Sequence, residues 1–427
     1  MRVLLTTAND GSFLHPMVGL GWALRTAGHE VLVADQVFAN GHVTGAGLTA
    51  APVGRQTSAD RLLAAMRVTP EMLEQARPGL HPPYDVVGSD RDVSWEEMVA
   101  AYREDVDRSR YENFPMIGGL VALARRWRPD LVVWEPFTPA GAIAAKACGA
   151  AHARMLFGAD VHGVTRERFL RMRDARPAER HEDPLADWLG SYARKYGADF
   201  TEDMTCGQLT LDQFPPSLQI EADGLEYLHA RHVAYGGAAV VPDWLRHPPA
   251  RPRVAVTTGF TATGFFGGLP FDLRDVLLEL SRLDVEVVAT ASAADRDALR
   301  GLPGNVRLES WVPLEVLAST CSAAVTHAGA GTLSAFVAHG VPQLALPFHF
   351  DEPVLGRALA AAGGALCLDP READGRAVRD GVARLLAEPG LRAGAAALRA
   401  ESHALPTLNR LVTTLEERVA RLRAAQV

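Results

Sequence analysis

The sequence predicts an α/β protein made of two doubly wound domains that face each other across a cleft. Short apolar runs suited to buried parallel strands alternate with helical patterns from the first residues, and the same alternation starts afresh at Arg253. The chain has 427 residues, more than one hydrophobic core comfortably holds. Ligands of such folds bind beyond the carboxyl ends of the strands, so we expect the functional residues there.

The composition argues against several classes of protein. With 48% hydrophobic and 22% charged residues, the chain has the make-up of a soluble globular protein. A formal net charge of −8, with no segment that concentrates Lys and Arg, argues against a nucleic-acid partner. No apolar run reaches the roughly 18 residues that a membrane helix needs. The apolar run at the first residues is too short for a signal peptide, because polar residues follow it at once. We therefore expect a cytoplasmic protein without a membrane partner. The 4 cysteines lack CxxC spacing and predict neither zinc nor disulfides.

The first domain is predicted over residues 1–218. Its opening strands are residues 2–7 and 30–34, an apolar-faced helix at residues 17–24 lies between them, and residues 47–53 supply a short third strand. This half lacks both GxGxxG after the first strand and a GxxxxGK[ST] loop. It is therefore expected to hold something other than a nucleotide.

Several amphipathic helices are predicted as an insertion over residues 58–128, with a Pro/Gly-rich break at residues 78–83. Such an insertion is a substrate-facing lid, a partner-docking surface, or a helical filler without a role. The buried strand that follows ends on Glu135, which places a carboxylate where chemistry occurs in these folds. The alternative is a carboxylate that caps the helix beginning after Pro139.

A linker with Gly and Pro pairs covers residues 219–252, and the second domain is predicted over residues 253–405. The C-terminal segment, residues 406–427, forms a last helix that at about 1.5 Å per residue is long enough to reach back towards the first domain. Further strands of the second domain are expected at residues 285–290, 306–310, 323–326, 343–346 and 366–369.

The most informative stretch is a strand that stops at His327, a glycine turn, and a helical pattern that begins at Thr332 and is ended by Gly340. A helix N-terminus presents unpaired N–H groups and the positive end of the helix dipole, and glycine lets an anion approach the backbone closely. A phosphate group is therefore the expected guest, with an ordinary tight turn as the alternative. The residues expected to hold a diphosphate are His327, Gly329, Ala330, Gly331 and Thr332.

The surroundings of this turn resemble a known family. Residues 310–314 read Ser-Trp-Val-Pro-Leu, residues 340–347 read Gly-Val-Pro-Gln-Leu-Ala-Leu-Pro, and Asp-Glu-Pro follows at residues 351–353. This ordered series resembles the nucleotide-sugar motif of inverting GT-B glycosyltransferases, in particular the actinobacterial enzymes that attach TDP-deoxysugars to macrolide and aromatic polyketide aglycones. Further segments look like the same group, so the resemblance covers nearly the whole chain: residues 134–136, 152–154, 182–189 and 240–245.

The resemblance implies roles on the donor side. Trp311 would stack on the nucleobase and the backbone of Val312 would bind its edge, although Trp311 equally suits a core position at a strand end. Thr261, in the loop after the first strand of the second domain, would reach the diphosphate from the opposite side. Asp351 and Glu352 would accept hydrogen bonds from sugar hydroxyls.

The expected chemistry needs neither a metal nor a cofactor. Breaking the bond from the anomeric carbon to the diphosphate builds negative charge, which the helix dipole, His327 and Thr332 would stabilise. The sequence has no DxD-like pair in a suitable loop, in agreement with metal independence.

The acceptor hydroxyl needs a general base on the first domain. In many relatives a histidine in the loop after strand one serves as this base, and the resemblance puts Phe13 at the position of that histidine. His15 would point the same way in an extended loop, and Glu135 and Asp10 are the other candidates. Phe13 and Leu14 are expected to contact the acceptor. Loss of the usual histidine also leaves open a more acidic acceptor, a carbon nucleophile or weak activity.

The leading hypothesis is an inverting transferase that moves a deoxysugar from a TDP donor to a polyketide-type aglycone in antibiotic biosynthesis. A nucleotide-sugar 2-epimerase is one alternative, against which the apolar loops at residues 13–14 and 265–266 argue. A non-catalytic partner subunit is another. Many members of the resembled group need a cytochrome P450-like helper protein, so such a partner is an expectation, and homodimer formation is left open. The sequence determines neither the sugar, the aglycone nor the choice of TDP over UDP.

Overall fold

The computed structural model describes residues 1–7, 11–36, 40–54, 79–88, 91–259, 269–291 and 296–425. Within these residues the first half of the chain forms a sheet of six strands: β1 (Arg2–Thr6), β2 (Glu30–Ala34), β3 (Leu131–Trp134), β4 (Ala151–Met155), β5 (Leu209–Asp212) and β6 (Tyr227–His229). Their order is β2-β1-β3-β4-β5-β6, and every pairing is parallel.

The second half forms another six-stranded parallel sheet, with the order β12-β11-β10-β7-β8-β9. Two doubly wound α/β domains are thereby present, and the predicted fold class is confirmed. The strands are β7 (Arg253–Thr257), β8 (Glu286–Thr290), β9 (Val306–Glu309), β10 (Ala323–Thr326), β11 (Gln343–Ala345) and β12 (Ala365–Cys367).

Helices cover both faces of each sheet, as parallel strands buried on two sides require. In the first half these are α1 (Gly11–Thr26), α2 (Asn40–Gly45), α3 (Trp95–Trp127), α4 (Ala140–Cys148), α5 (Val161–Asp174), α6 (Pro184–Lys195) and α7 (Asp203–Cys206). In the second half they are α8 (Leu273–Leu280), α9 (Leu314–Ala318), α10 (Ala330–His339), α11 (Glu352–Ala361), α12 (Gly375–Ala387), α13 (Pro389–Ala404) and α14 (Leu408–Ala424).

The strand orders locate the cleft residues. In the first sheet the direction of winding reverses between β1 and β3, and in the second sheet between β7 and β10. Ligands of open α/β sheets bind outside the carboxyl ends of the strands at such switch points. Glu135 follows β3 at one switch point, and His327 follows β10 at the other.

The structure corrects two expectations about the first half. Residues 47–53 form no strand, because only Ala50 pairs, in a single bridge to Val33. In the predicted insertion, residues 58–78 lie outside the described residues, and a capping box of Ser94 and Glu97 starts the 33-residue helix α3. The first sheet continues past the predicted boundary at residue 218, since β6 is its sixth strand.

Helix α14 returns to the first domain. Its apolar side chains join the hydrophobic core that α1 covers, in the i, i+3, i+4, i+7 spacing of one helix face: Leu408, Leu411, Val412, Leu415 and Val419. Polar contacts flank that face, with Arg418 2.7 Å from Glu226 and Glu416 2.9 Å from the His29 ring. The end of the chain therefore ties the two domains together. Among the described residues we find no helix whose length and hydrophobicity would let it cross a lipid bilayer.

Candidate functional site

The N-terminus of α10 presents free backbone donors. The helix begins at Ala330, two residues before the predicted start, and its N-cap residue, Gly329, supplies no side-chain hydrogen bond. The amides of Ala330, Gly331 and Thr332 have no hydrogen-bond partner within the described residues. Gly340, in the left-handed conformation with φ 66°, ends the helix where the sequence predicted. Three donors and the positive end of the helix dipole therefore face one point.

The turn before this helix is held in a sparsely populated conformation. Ala328 has φ 62°, a left-handed backbone that costs a non-glycine residue about 1–2 kcal/mol. His327 is buried, with its ring between two glycines. A Cβ atom on Gly259 would lie 2.6 Å from the His327 Nε2 atom, and one on Gly329 only 2.2 Å from it. Both positions therefore have to be glycine for the ring to sit there.

His327 is neutral at pH 7. Burial lowers the pKa of its imidazole to about 4, and a hydrogen bond with the Thr257 backbone opposes that shift. A neutral imidazole has one N–H donor and one acceptor nitrogen, so His327 donates to an anion either through that single N–H or as the imidazolium that a bound anion stabilises. Its Nε2 atom lies 3.8 Å from the carboxylate of Glu352.

Asp351 and Glu352 hold backbone groups in this structure. Glu352 accepts hydrogen bonds from the amides of Phe348 at 3.0 Å and His349 at 2.9 Å, which fixes the loop after β11. Asp351 reaches across the cleft and accepts a hydrogen bond of 2.8 Å from the Ala159 amide of the first domain. Burial raises the pKa of Asp351 to about 6 and that of Glu352 well above its ordinary value. A role of either carboxylate in binding the sugar stays a prediction.

The expected nucleobase site is accessible. Trp311 is 40% exposed, so it does not occupy the core position that was the alternative for it. Val312 is buried, and its backbone makes no hydrogen bond within the described residues. A flat apolar face beside unused backbone donor and acceptor groups suits a base. Thr261, the other donor-side candidate, lies outside the described residues, as does the acceptor-side candidate Asp10.

The first turn of α1 changes the expectations for the acceptor side. Residues 11–15 are helical, so residues 13 and 15 point about 200° apart and not in the same direction. The Phe13 ring lies 5.3 Å from Phe137 and 4.8 Å from Phe157, centroid to centroid, whereas the His15 ring lies 5.5 Å from Tyr235. His15 therefore does not take the place of Phe13.

Leu14 does not line the cleft. It is 1% exposed and belongs to the hydrophobic core beneath α1, so the expected contact with an acceptor is wrong for this residue. Phe13 remains partly exposed above that core. Adjacent helical residues point about 100° apart, which explains why only one of the two faces the cleft.

Glu135 is completely buried at the end of β3. It accepts hydrogen bonds from the Phe137 amide at 2.7 Å and from the Thr138 hydroxyl, so it stabilises the turn that leads into α4. It does not cap α4 itself, which was the alternative offered from the sequence, because that helix has no side-chain hydrogen bond at its N-cap, Pro139. Asn113 of α3 secures the same turn, because it donates to the Phe137 carbonyl at 2.9 Å and accepts from the Ala140 amide at 3.1 Å.

Sequence reasoning missed the residues that α3 brings to this end of the sheet. Glu112 precedes Asn113, and burial raises the pKa of its carboxyl group to about 7, against the influence of Arg108. Asp105 accepts a hydrogen bond of 2.8 Å from the Tyr84 hydroxyl. The spacing 105, 108, 112 puts three charged residues on one helix face, and that spacing is the signal that could have identified them.

One group of side chains in the described part of the chain has spacing that could suit a metal ion: Asp212, Glu221 and His229. The two nitrogens of the His229 ring lie 3.3 Å from Asp212 and 3.2 Å from Glu221. A hydrogen bond to Asp212 raises the pKa of His229, so the group works as an ion-paired cross-link between the ends of β5 and β6. It is on the opposite domain from the α10 turn.

Comparison with known proteins identifies the family. Residues 22–259 match the model described as erythromycin biosynthesis protein CIII-like, N-terminal domain, and residues 274–418 match the corresponding C-terminal domain. The chain belongs to this family of glycosyltransferases. The resemblance stated from the sequence is thereby confirmed, and so is the enzyme class.

Similar proteins extend over the full length of the chain. The 10-deoxymethynolide desosaminyltransferase of Streptomyces venezuelae is 42% identical and the match covers 99% of this chain and 98% of that protein. The erythronolide mycarosyltransferase of Saccharopolyspora erythraea is 40% identical over 98% of both. Among solved structures, the glycosyltransferase VinC in complex with dTDP has a TM-score of 0.86 and 36% identity, with both chains covered completely.

Proposed function

We propose that this glycosyltransferase moves a deoxysugar from a TDP-sugar to a polyketide-type aglycone, with inversion at the anomeric carbon, in antibiotic biosynthesis. The observation that carries the proposal is the α10 N-terminus, where three amides without partners and a neutral histidine meet at the switch point of the second sheet. The names of the similar transferases support the donor and acceptor classes. The dTDP held by VinC supports thymidine as the donor nucleoside.

The donor would lie along the carboxyl edge of the second sheet. Trp311 would stack on the base, and the amides of Ala330, Gly331 and Thr332 would bind the diphosphate. When the bond from the anomeric carbon to the diphosphate breaks, the new charge develops next to those amides and the His327 ring. Fixed donors aimed at developing charge need no reorganisation during the reaction, which is how they lower the barrier without a metal.

The acceptor would approach from the first domain, on the opposite side of the sugar. Attack from that side as the diphosphate leaves inverts the anomeric carbon. We place proton removal at Glu135 and not at His15, because Glu135 adjoins Phe137 on the cleft side of β3 whereas His15 contacts Tyr235. Since the carboxylate is buried, an acceptor hydroxyl would have to displace the Thr138 hydroxyl from it.

Separate substitution of the two base candidates tests the assignment of proton removal to Glu135. Glu135→Gln is expected to lower kcat by about 100-fold, within the range of 10²–10⁴ for loss of a general base, while His15→Ala stays within about fivefold of the parent. Single-turnover transfer from a TDP-sugar to a polyketide aglycone measures both, with thermal unfolding as the control for folding. The reverse order, a large loss with His15→Ala only, would return His15 to the role of base.

The pH dependence of donor binding follows from the lowered pKa of His327. A bound diphosphate favours the imidazolium, so binding raises that pKa from about 4 and takes up protons. Affinity for a TDP-sugar, which has no ionisation of its own in this range, is therefore expected to increase as the pH falls from 7 to 5, towards the free pKa of His327. Calorimetry across this range, with His327→Gln as the control that loses the dependence, measures it. A flat profile in the parent enzyme would show that His327 does not contact the diphosphate.

The same proposal includes a cytoplasmic location, independence of metals and cofactors, and assistance by a P450-like helper protein. Transfer measured with and without such a helper tests the need for the helper, and transfer measured in EDTA tests the independence of metals. Absence of both transfer and donor hydrolysis, with and without the helper, would favour the non-catalytic partner subunit instead.

A further inference from the structure

One buried carboxylate joins the two domains at the cleft. Asp351, in the loop between β11 and α11, accepts a hydrogen bond of 2.8 Å from the backbone amide of Ala159, which follows β4 of the first domain. Asp351 is only 7% exposed, and burial raises its pKa to about 6, so the carboxylate is ionised at pH 7 and shielded from water. Hydrogen bonds to ionised acceptors are stronger than those between neutral groups, and a low dielectric strengthens them further. The contact therefore fixes the two loops relative to each other.

The loop gives up local stability to make this contact. Asp351 is the N-cap residue of α11, the position at which an aspartate ordinarily accepts a hydrogen bond from its own helix. Its side chain makes no such bond here. The residue before it, Phe350, has φ 41°, a left-handed backbone that a residue with a side chain rarely adopts. An unused helix cap next to a strained residue indicates a functional constraint on the direction of the carboxylate.

The first domain is shaped to receive the carboxylate. A Cβ atom on Gly158 would lie 2.0 Å from the Asp351 Oδ2 atom, so only glycine leaves room for it. The Gln219 side chain holds the backbone on both sides of Ala159. It accepts a hydrogen bond from the Asp160 amide at 2.9 Å and donates one to the Gly158 carbonyl at 3.3 Å. We call Gly158 and Ala159 the carboxylate seat, because their backbone is fixed independently of its occupant.

Both sides of the contact lead to the proposed active site. On the donor side, the next residue, Glu352, has its carboxylate 3.8 Å from the His327 Nε2 atom at the α10 turn. On the acceptor side, the Phe157 ring beside the carboxylate seat stacks on Phe137, with centroids 5.5 Å apart, and the Phe137 amide donates to Glu135. The contact thus lies between the turn proposed to bind the diphosphate and the residue proposed to take the acceptor proton.

We propose that Asp351 is a positioning residue, which docks in the carboxylate seat and aligns the acceptor half of the active site with the donor half, and that it is not a ligand of the transferred sugar. This inference rests on the proposed function and gives Asp351 a different role from the one that the resemblance implies. A sugar hydroxyl would have to displace the buried Ala159 amide from the carboxylate and leave that amide without a partner. Transfer needs the reacting atoms about 3–3.5 Å apart and in line, so a shift of about 1 Å between the domains lowers the rate by about 100-fold.

Gly158→Ala tests the inference. The three atoms nearest to the added Cβ all belong to Asp351, at 2.0, 3.0 and 3.5 Å, so the substitution acts on this carboxylate. We expect kcat for transfer to fall by about 100-fold, while donor hydrolysis by water, which needs no aligned acceptor, changes by less than about threefold. TDP affinity should stay equally close to that of the parent. Single-turnover transfer, hydrolysis without acceptor and calorimetry measure the three quantities, with thermal unfolding as the control for folding.

Two further variants show whether the effect passes through the carboxylate. Asp351→Ala is expected to lower transfer to the same degree, and Gly158→Ala should add less than about twofold in that background, because the methyl group then has no carboxylate to displace. Glu401→Ala is the matched control. It removes another hydrogen bond between the domains, 2.8 Å from the Ser217 amide to Glu401, at an exposed position. Transfer by this variant should stay within about twofold of the parent.

Three results would overturn the inference. Unchanged transfer in Gly158→Ala would show that the contact aligns nothing. Faster transfer would show that the carboxylate seat competes with the sugar for Asp351, and an equal loss of transfer and hydrolysis would assign Asp351 to the donor alone. All three are differences between variant and parent, so they leave the glycosyltransferase proposal in place. A parent enzyme that neither binds TDP nor transfers a sugar contradicts the proposed function itself.

Discussion

The Gly331→Ala variant is expected to fold more stably than the parent enzyme and yet to bind TDP about 100-fold more weakly, a loss of about 2.7 kcal/mol. Gly331 is the second residue of α10, where alanine in place of glycine stabilises a helix by up to about 1 kcal/mol. No described atom lies within 4 Å of the Cβ that the substitution adds. The new methyl group therefore strains nothing in the protein and occupies the space in front of the amides where the diphosphate is proposed to bind.

Gly390→Ala is the matched control. Gly390 is likewise the second residue of its helix, α13, and its added Cβ also meets open space. The two variants should gain similar stability in thermal unfolding, and only Gly331→Ala should lose TDP affinity in calorimetry. Unchanged affinity in Gly331→Ala would mean that the diphosphate does not lie against this helix turn.

His327→Ala is expected to lower kcat by 10²–10³, the usual effect of removing one fixed donor from a developing anion. The ring is held between Gly259 and Gly329 at distances that leave it a single position, so its N–H direction is set before the donor binds. The neutral state of the imidazole allows this donation at pH 7. Steady-state transfer gives kcat and KM separately, and the effect on kcat should exceed that on KM.

His327→Gln provides the comparison, since glutamine keeps an N–H donor without the ring. It should recover part of kcat, and both variants should unfold with similar midpoints because both lose the same buried ring. A loss of activity in His327→Ala that matches a loss of folded protein would assign His327 a structural role only.

The strand, turn and helix around His327 were predictable because their signals are local. Three signals follow one another within twenty residues: the apolar run of β10, the glycines at 329 and 331, and the left-handed stop at Gly340. Each of them determines the backbone structure at its own position. The helix start was misplaced by two residues, since the N-cap residue, Gly329, has no side chain that signals a helix start.

The acceptor half was not predictable in the same way, because distant segments build it. Asn113 of α3 binds the turn that follows Glu135, and Phe350 contacts Phe137 from the other domain, so nothing in the neighbouring sequence indicates these contacts. The predicted start of α1, at residue 17, was wrong for a different reason. Pro16 favours a helix that begins there, but burial of Leu14 in the core extends the helix back to Gly11.

The most direct measurement of the central claim is a crystal structure of the enzyme soaked with TDP. We predict phosphate oxygens about 2.7–3.1 Å from the amides of Ala330, Gly331 and Thr332, with the thymine against Trp311. A diphosphate found in the first domain, or an α10 N-terminus that makes no contact with phosphate, would contradict the account.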